Sequence, residues 1–272
     1  MNDSFSQGNL KYSILNEDPA SKTGTVSVSR NRGEPKDRIG TTLNISPSIE
    51  HNGIIYTITR IESEAFYGCA SLTCIMIPES VTSIGWSAFR GCTSLASITI
   101  PEGVTRIDDR AFSECSNLTN INVGQENEKY RSVDGVLFTK DMTTLIAYPH
   151  GKKEEKYTIP ECVSRIGNGA FQGCKDVVGI TIPDSLTSIG DVAFDGCRSL
   201  ACITIPEGVT RIGIRAFDGC ENLKDVYFKG APLEMHNGTF KIDTVFHYVE
   251  GTPGWTTPRW KGFRTYIWKP EE

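Results

Sequence analysis

Nine cysteines and four histidines are the residues of this 272-residue chain best suited to chemistry. Thiolates and imidazoles are the common nucleophiles, bases and soft-metal ligands. Their spacing argues against these uses. No C-x-x-C occurs, so zinc ribbons and redox dithiols lack their basic unit. The odd count leaves at least one thiol unpaired. His51, His150, His236 and His247 keep no metal-ligand or catalytic spacing and are read as satisfied surface histidines. There is no G-x-G-x-x-G, no P-loop and no G-x-S-x-G elbow. Asp108-Asp109 reads as a solvated turn, and Asp134-Gly135 as a turn that lacks the D-x-D-x-D-G series of a calcium loop. Asn117 and Asn237 begin sequons, which mean little if the source is bacterial. No catalytic residue, cofactor or metal is expected.

What the cysteines keep is a beat. Cys69, Cys92 and Cys115 are 23 residues apart, as are Cys174, Cys197 and Cys220. Ala-Phe recurs in step at Phe66, Phe89, Phe112, Phe171, Phe194 and Phe217, and Ile at Ile61, Ile84, Ile107, Ile166, Ile189 and Ile212. The unit is I-P-x-x-V-T-x-I-x-x-x-A-F-x-x-C-x-x-L-x-x-I-x. A period of this length marks a solenoid whose units bury their faces only by stacking. Phe240 continues the frame past Phe217, so a degenerate coil is expected beyond the regular ones. Between Cys115 and Cys174 the step is 59, which is 23 plus 36. The extra residues, about 124–159, read as a variant coil with a β-hairpin, Val136 to Phe138 pairing with Leu145 to Tyr148. Asn52-Gly53 reads as a second hairpin turn.

Within a coil, Leu95-x-x-Ile98-x-Ile100 alternates at the strand period and stops at Pro101. Val104 to Ile107 reads as a second extended stretch, and A-F-x-x-C as a helical or 3₁₀ turn on the far side. The fold class is therefore a mostly β repeat solenoid with short helical or 3₁₀ turns. The periodic cysteines face inward as small buried hydrophobes. Equivalent side chains in stacked strands lie about 4.7–4.9 Å apart and point the same way, a poor geometry for a disulfide. A reduced thiol ladder is therefore preferred over disulfides or metal. Cys74 and Cys202 are placed outward on strands and Cys162 in a loop.

The chain is mildly acidic, with net charge −5, and its Lys and Arg are scattered, which argues against nucleic acid. No apolar run approaches a transmembrane length of about 20 residues. Its first residues, from Met1, have neither the basic nor the apolar region of a signal peptide. The location is expected to be extracellular or cell-surface if a leader was removed, and cytoplasmic otherwise.

The unit resembles the BspA-like leucine-rich repeats of bacterial surface proteins. "IPEGVTRIDDRAFSECSNLTNI" (Ile100 to Ile121) and "IPDSLTSIGDVAFDGCRSLACITI" (Ile182 to Ile205) carry the likeness, which is close over about Asn44 to Lys229. It implies a right-handed, curved coil stack with N- and C-terminal caps. The expected division is a β cap at 1–43, the solenoid at 44–231, and a degenerate coil with a cap at 232–272. It also implies a non-catalytic, adhesin-like scaffold, a monomer that binds a protein partner and no nucleic acid. The side-chain period of two puts one outward column at Cys74, Ser97, Asn120, Gly179, Cys202 and Asp225. The next runs through Met76, Thr99, Asn122, Thr181, Thr204 and Tyr227. Ser97, Thr99, Asn120, Asn122, Thr181, Thr204, Asp225 and Tyr227 are the candidate partner-binding residues. The alternatives are a carbohydrate module stacking sugars on Trp255, Trp260 and Trp268, and a charged stripe after each proline. That stripe holds Glu79, Glu102, Glu161, Asp184 and Glu207, then Ser83, Arg106, Arg165, Ser188 and Arg211.

Overall fold

The I-P-x-x-V-T-x-I phrase folds as two short strands separated by a turn, and each strand hydrogen-bonds to its equivalent in the next coil. A computed structural model describes residues 3–236 and 238–270; Asn237, with its sequon, lies outside the described residues. The chain divides into two compact units, Met1–Asp141 with Pro149–Gly151, and Met142–Tyr148 with Lys152–Glu272. Both are mostly β solenoids.

In the N-terminal unit, Ser4–Gln7, Leu10–Asp18 and Thr23–Arg30 form an antiparallel cap sheet. Ile54–Ile61 joins it in parallel and carries the register on to Ser83–Ile84 and Arg106–Ile107. Ser48–His51 folds back on Ile54–Ile61 through Asn52-Gly53, both at positive φ as the hairpin reading requires. The other strand row pairs Thr42–Asn44 with Cys74–Met76, and Ser97–Ile100 with Asn120–Val123. In the C-terminal unit one row runs through Lys156–Thr158, Gly179–Thr181, Cys202–Ile205, Asp225–Phe228, Val245–Val249 and Phe263–Trp268, all parallel. The second row is Thr144–Ala147, Arg165–Ile166, Ser188–Ile189 and Arg211–Ile212. Phe240 continues the ring stack on Phe217 at 4.7 Å.

The backs of the coils are single hydrogen-bonded turns, in which Cys92 N donates to Phe89 O three residues earlier (3.0 Å). Among the described residues the one 3₁₀ helix is Lys36–Ile39, outside the repeats. The turns stop short of a helix because each holds two left-handed residues. The position before Ala is Glu64, Ser87, Arg110, Gly169, Val192 or Arg215, and the position before Cys is a glycine except at Glu114. Coils join across this side as well, with Phe89 N donating to Ala111 O and Phe194 N to Ala216 O, each 2.8 Å.

Inside, the phenylalanines stack face to face, at 5.6–5.9 Å from Phe66 through Phe89 to Phe112 and at 5.0 Å from Tyr148 through Phe171 and Phe194 to Phe217. The periodic cysteines are all buried and free, while Cys74, Cys162 and Cys202 are exposed, as the frame requires. The ladder has a further role. Four of the six Sγ–H groups donate to the phenylalanine carbonyl of the preceding coil: Cys92 to Phe66, Cys115 to Phe89, Cys197 to Phe171 and Cys220 to Phe194, at 3.1–3.2 Å. Burial pushes the Cys115 and Cys220 thiols up to about 12 and those of Cys92, Cys174 and Cys197 up as well, so the ladder stays protonated.

The variant segment forms a hairpin between Tyr130–Val133 and Val136–Thr139 about Asp134-Gly135. The strand at Tyr130–Val133 was not expected. In the N-terminal unit this segment replaces a coil with side chains. Buried Asn127 donates to Pro101 O and Val104 O and accepts from Lys129 N and Tyr130 N. The Tyr130 hydroxyl accepts Ile107 N at 2.8 Å. His150 Nε2 accepts Glu114 N at 3.3 Å, where regular coils offer a carbonyl, as Ser113 O does to Gly91 N. His150 is therefore buried, not at the surface as expected, because it faces the end of a coil; burial lowers its pKa to about 3.

Candidate functional site

The outward strand positions are fixed by the inward ones. Ile75, Ile98 and Ile121 are buried, so the residues on either side of each must face out. In the N-terminal unit Cys74, Ser97 and Asn120 are exposed, as are Met76, Thr99 and Asn122. Asn120 pairs with Ser97 and Asn122 with Thr99 in register, so these four candidates form a small polar floor. The hairpin bounds it: Ile121 N donates to Gly135 O, and a Cβ on Gly135 would come within 2.5 Å of Asn120 Oδ1.

The other four candidates stand in the C-terminal unit. Thr181 is exposed and Thr204 half-buried; Asp225 pairs with Cys202 and Tyr227 with Thr204. The eight expected residues are thus grouped four and four, each set within its own unit.

Beyond Tyr227 the C-terminal face holds residues that the sequence reading missed. Register places His247 beside Tyr227 and Tyr266 beside His247. The His247 ring stacks on Tyr227 at 4.5 Å and lies 6.0 Å from Tyr266; Trp268 meets Tyr227 edge-on at 5.0 Å. Asp225 Oδ1 is 2.7 Å from His247 Nε2, which fixes the imidazole in the stack. Burial, then Asp225, pushes the Tyr227 hydroxyl up, so it remains a neutral donor. Tyr266 is 51% exposed. The spacing shrinks to 20 residues from Tyr227 to His247 and 19 from His247 to Tyr266, which takes these residues out of the 23-residue frame. The alternation in Phe246-His247-Tyr248-Val249 was the signal available.

The other candidates resolve differently. Trp255 is buried against Phe228 and Tyr248 and donates through Nε1 to Gly230 O at 3.0 Å, so it closes the core and has no free face for a sugar. Trp260 is half-buried, with the Lys261 ammonium 4.9 Å over its ring. In the charged stripe Glu79 accepts Glu102 N, while Arg106 and Arg211 pair with Asp108 and Asp191. The arginines therefore do not offset the stripe's own carboxylates.

Coil-by-coil register, the phenylalanine stack and the thiol ladder are the traits of one repeat type. The family model described as the BspA type leucine rich repeat region matches residues 43–144 and 147–247, in six copies. The chain belongs to the BspA-type leucine-rich repeat family. Among solved structures, a leucine-rich repeat protein from Eubacterium ventriosum is 23% identical, with TM-score 0.56 over 91% of this chain and 78% of that one. The pneumococcal vaccine antigen PcpA is 18% identical, with TM-score 0.51 over 99% of each chain. A leucine rich cell surface protein from Faecalibacterium prausnitzii is 22% identical, with TM-score 0.41 over 93% of this chain and 96% of that one. No curated protein matches the chain. The family model, with the first two of these structures for the fold, establishes the BspA-type solenoid. Among its described residues, no helix is long and apolar enough to cross a membrane.

Proposed function

We propose that this BspA-type chain is a non-catalytic scaffold that binds a protein partner, in an adhesin-like role at a bacterial cell surface. The family supports the location, because its repeats resemble those of bacterial surface proteins. The observation that carries the binding role is the half-exposed ring cluster of Tyr227, His247, Tyr266 and Trp268 on the C-terminal strand face. Tyrosine and tryptophan dominate the energetic centres of protein interfaces, where a large rigid ring is buried at little entropic cost. Here the rings stand on paired strands, and Thr181 and Thr204 beside them leave room for a partner to approach. The faces of Tyr227, His247 and Tyr266 are largely taken up by their stack on one another, an arrangement that suits a protein surface better than a sugar face.

The test is a protein array of extracellular and bacterial-surface proteins probed with the full chain and with Tyr227→Ala and Thr204→Arg. Signals lost with both variants, at unchanged melting temperature, support the strand face. A partner bound equally well by both moves the contact elsewhere, and Thr99→Arg then tests the N-terminal floor.

A further inference from the structure

The charged stripe has a different setting in the N-terminal unit. Register across five strands lines up Ser13, Ser27, Arg60, Ser83 and Arg106 in one row. Two residues further on, just past the ends of their strands, Glu62, Gly85 and Asp108 form a second row. Between the rows lies a cavity of about 430 Å³, with Leu15 on its wall. Its charges are individually held. Arg106 Nε donates to Asp108 Oδ1 at 2.6 Å. Ser27 Oγ donates to Glu62 Oε1 at 2.7 Å. Burial works against the Glu62 charge, but hydroxyls of Ser13, Ser27 and Ser29 and the nearby Lys11 outweigh it and hold the carboxyl ionised. Arg60 is the exception. Its Nε donates to Ser83 Oγ at 3.1 Å, and among the described residues no carboxylate lies within ion-pair distance of it.

A guanidinium without an acid, over a concave floor, is a seat for an anion, because charge-assisted bidentate bonds to a carboxylate are its strongest contacts. Glu62 restricts which anion, since Asp108 is already neutralised by Arg106. A fixed negative charge beside the seat disfavours a dianion and attracts hydroxyl or ammonium donors. We propose that this cavity binds a small monocarboxylate with hydrogen-bond donors next to its acid group, a sugar acid or an amino acid. Arg60 takes the carboxylate, and Glu62 takes the donors. The same Arg-Ser-Arg row recurs in the C-terminal unit as Arg165, Ser188 and Arg211, where Thr144 and not a serine-bearing cap strand adjoins it. That row is an internal control for the same stripe charge beside a different strand.

The experiment is an NMR titration of the full ¹⁵N-labelled chain, following the Ser83 and Gly85 amides, with galacturonate, glycine, acetate and inorganic phosphate as probes. Galacturonate or glycine is expected to bind at least about tenfold tighter than acetate or phosphate, and the tighter of the two identifies the source. Arg60→Gln should weaken that probe at least about tenfold, and Arg165→Gln should leave it unchanged. Glu62→Gln keeps an acceptor for Ser27 and should abolish the advantage over acetate. Arg60 is exposed, so its variant should melt like the parent. No shift with either donor-bearing probe, phosphate binding as tightly as they do, or Arg60→Gln binding like the parent would each overturn the assignment.

Discussion

His150 makes the variant segment testable by pH alone. Its Nε2 accepts the Glu114 N–H inside the N-terminal unit, and that bond exists only while the imidazole is neutral. Burial depresses the folded pKa to about 3, against an ordinary value of 6.5. The sign follows from proton counting. Below 6.5 the unfolded chain takes up a proton that the folded chain refuses, so stability is present above 6.5 and falls with pH toward 3. At about pH 5 the gap from the unfolded value is about 1.5 pH units, or about 2 kcal/mol at 1.36 kcal/mol per unit. His150→Gln retains an acceptor but has no titrating group. Urea unfolding of both chains at about pH 7.5 and about pH 5 isolates this residue, since all other carboxylates and histidines are shared. The parent should lose about 2 kcal/mol more than the variant on acidification. Equal losses would mean that His150 is not buried neutral, and that the segment does not end the coil as described.

Phe194→Ala removes a ring stacked at 5.0 Å on both sides and should cost about 3–5 kcal/mol in urea unfolding, with a loss below about 1 kcal/mol counting against the stack. Thiol labelling of the native chain, read by peptide mass spectrometry, should modify Cys74, Cys162 and Cys202 and spare the ladder; prompt labelling of Cys92 or Cys197 would contradict its burial. Gly213→Ala would put a Cβ within 2.4 Å of Asp191 N in the preceding coil, forcing the backbones apart. A lowered melting point corresponding to about 1–3 kcal/mol is expected, and an unchanged one would show that the coils have slack there.

The sequence made the regular coils legible because every one must solve the same packing problem with the same residues. Six phenylalanines and six cysteines in step disclosed the inward positions, and the strand period then gave the outward ones. Turn chemistry at Asn52-Gly53 and Asp134-Gly135 was readable for a local reason, the left-handed pair each requires, although the strand at Tyr130–Val133 that makes the second turn a hairpin was not read. Two things were hidden. Asn127, Tyr130 and His150 each satisfy backbone groups that a neighbouring coil would otherwise meet, and a side chain in that role need belong to no periodic type. The aromatic cluster was hidden because its strands leave the 23-residue frame: register survives the shorter spacing in space but not in sequence. The Trp268 ring was visible as an unusual residue, yet its position beside Tyr227 could come only from the pairing of strands.

The beat of cysteines now has a physical reason. The turn at the back of each coil aims the phenylalanine carbonyl at the interior. The cysteine amide of the same coil takes one of its lone pairs, as when Cys69 N donates to Phe66 O at 3.1 Å. The second lone pair faces the next coil, where no backbone donor is placed, and Cys92 Sγ reaches it at 3.2 Å. Alanine at that point would leave the site unfilled and the acceptor half-used. Valine would fill it without donating. Serine would donate, but in a dry interior its hydroxyl bears a larger desolvation cost than a thiol. Cysteine combines apolar bulk with a weak donor, and it needs no partner beyond the one carbonyl. In this chain the thiol is an element of packing, and the feature that first suggests chemistry is what removes chemistry from the core.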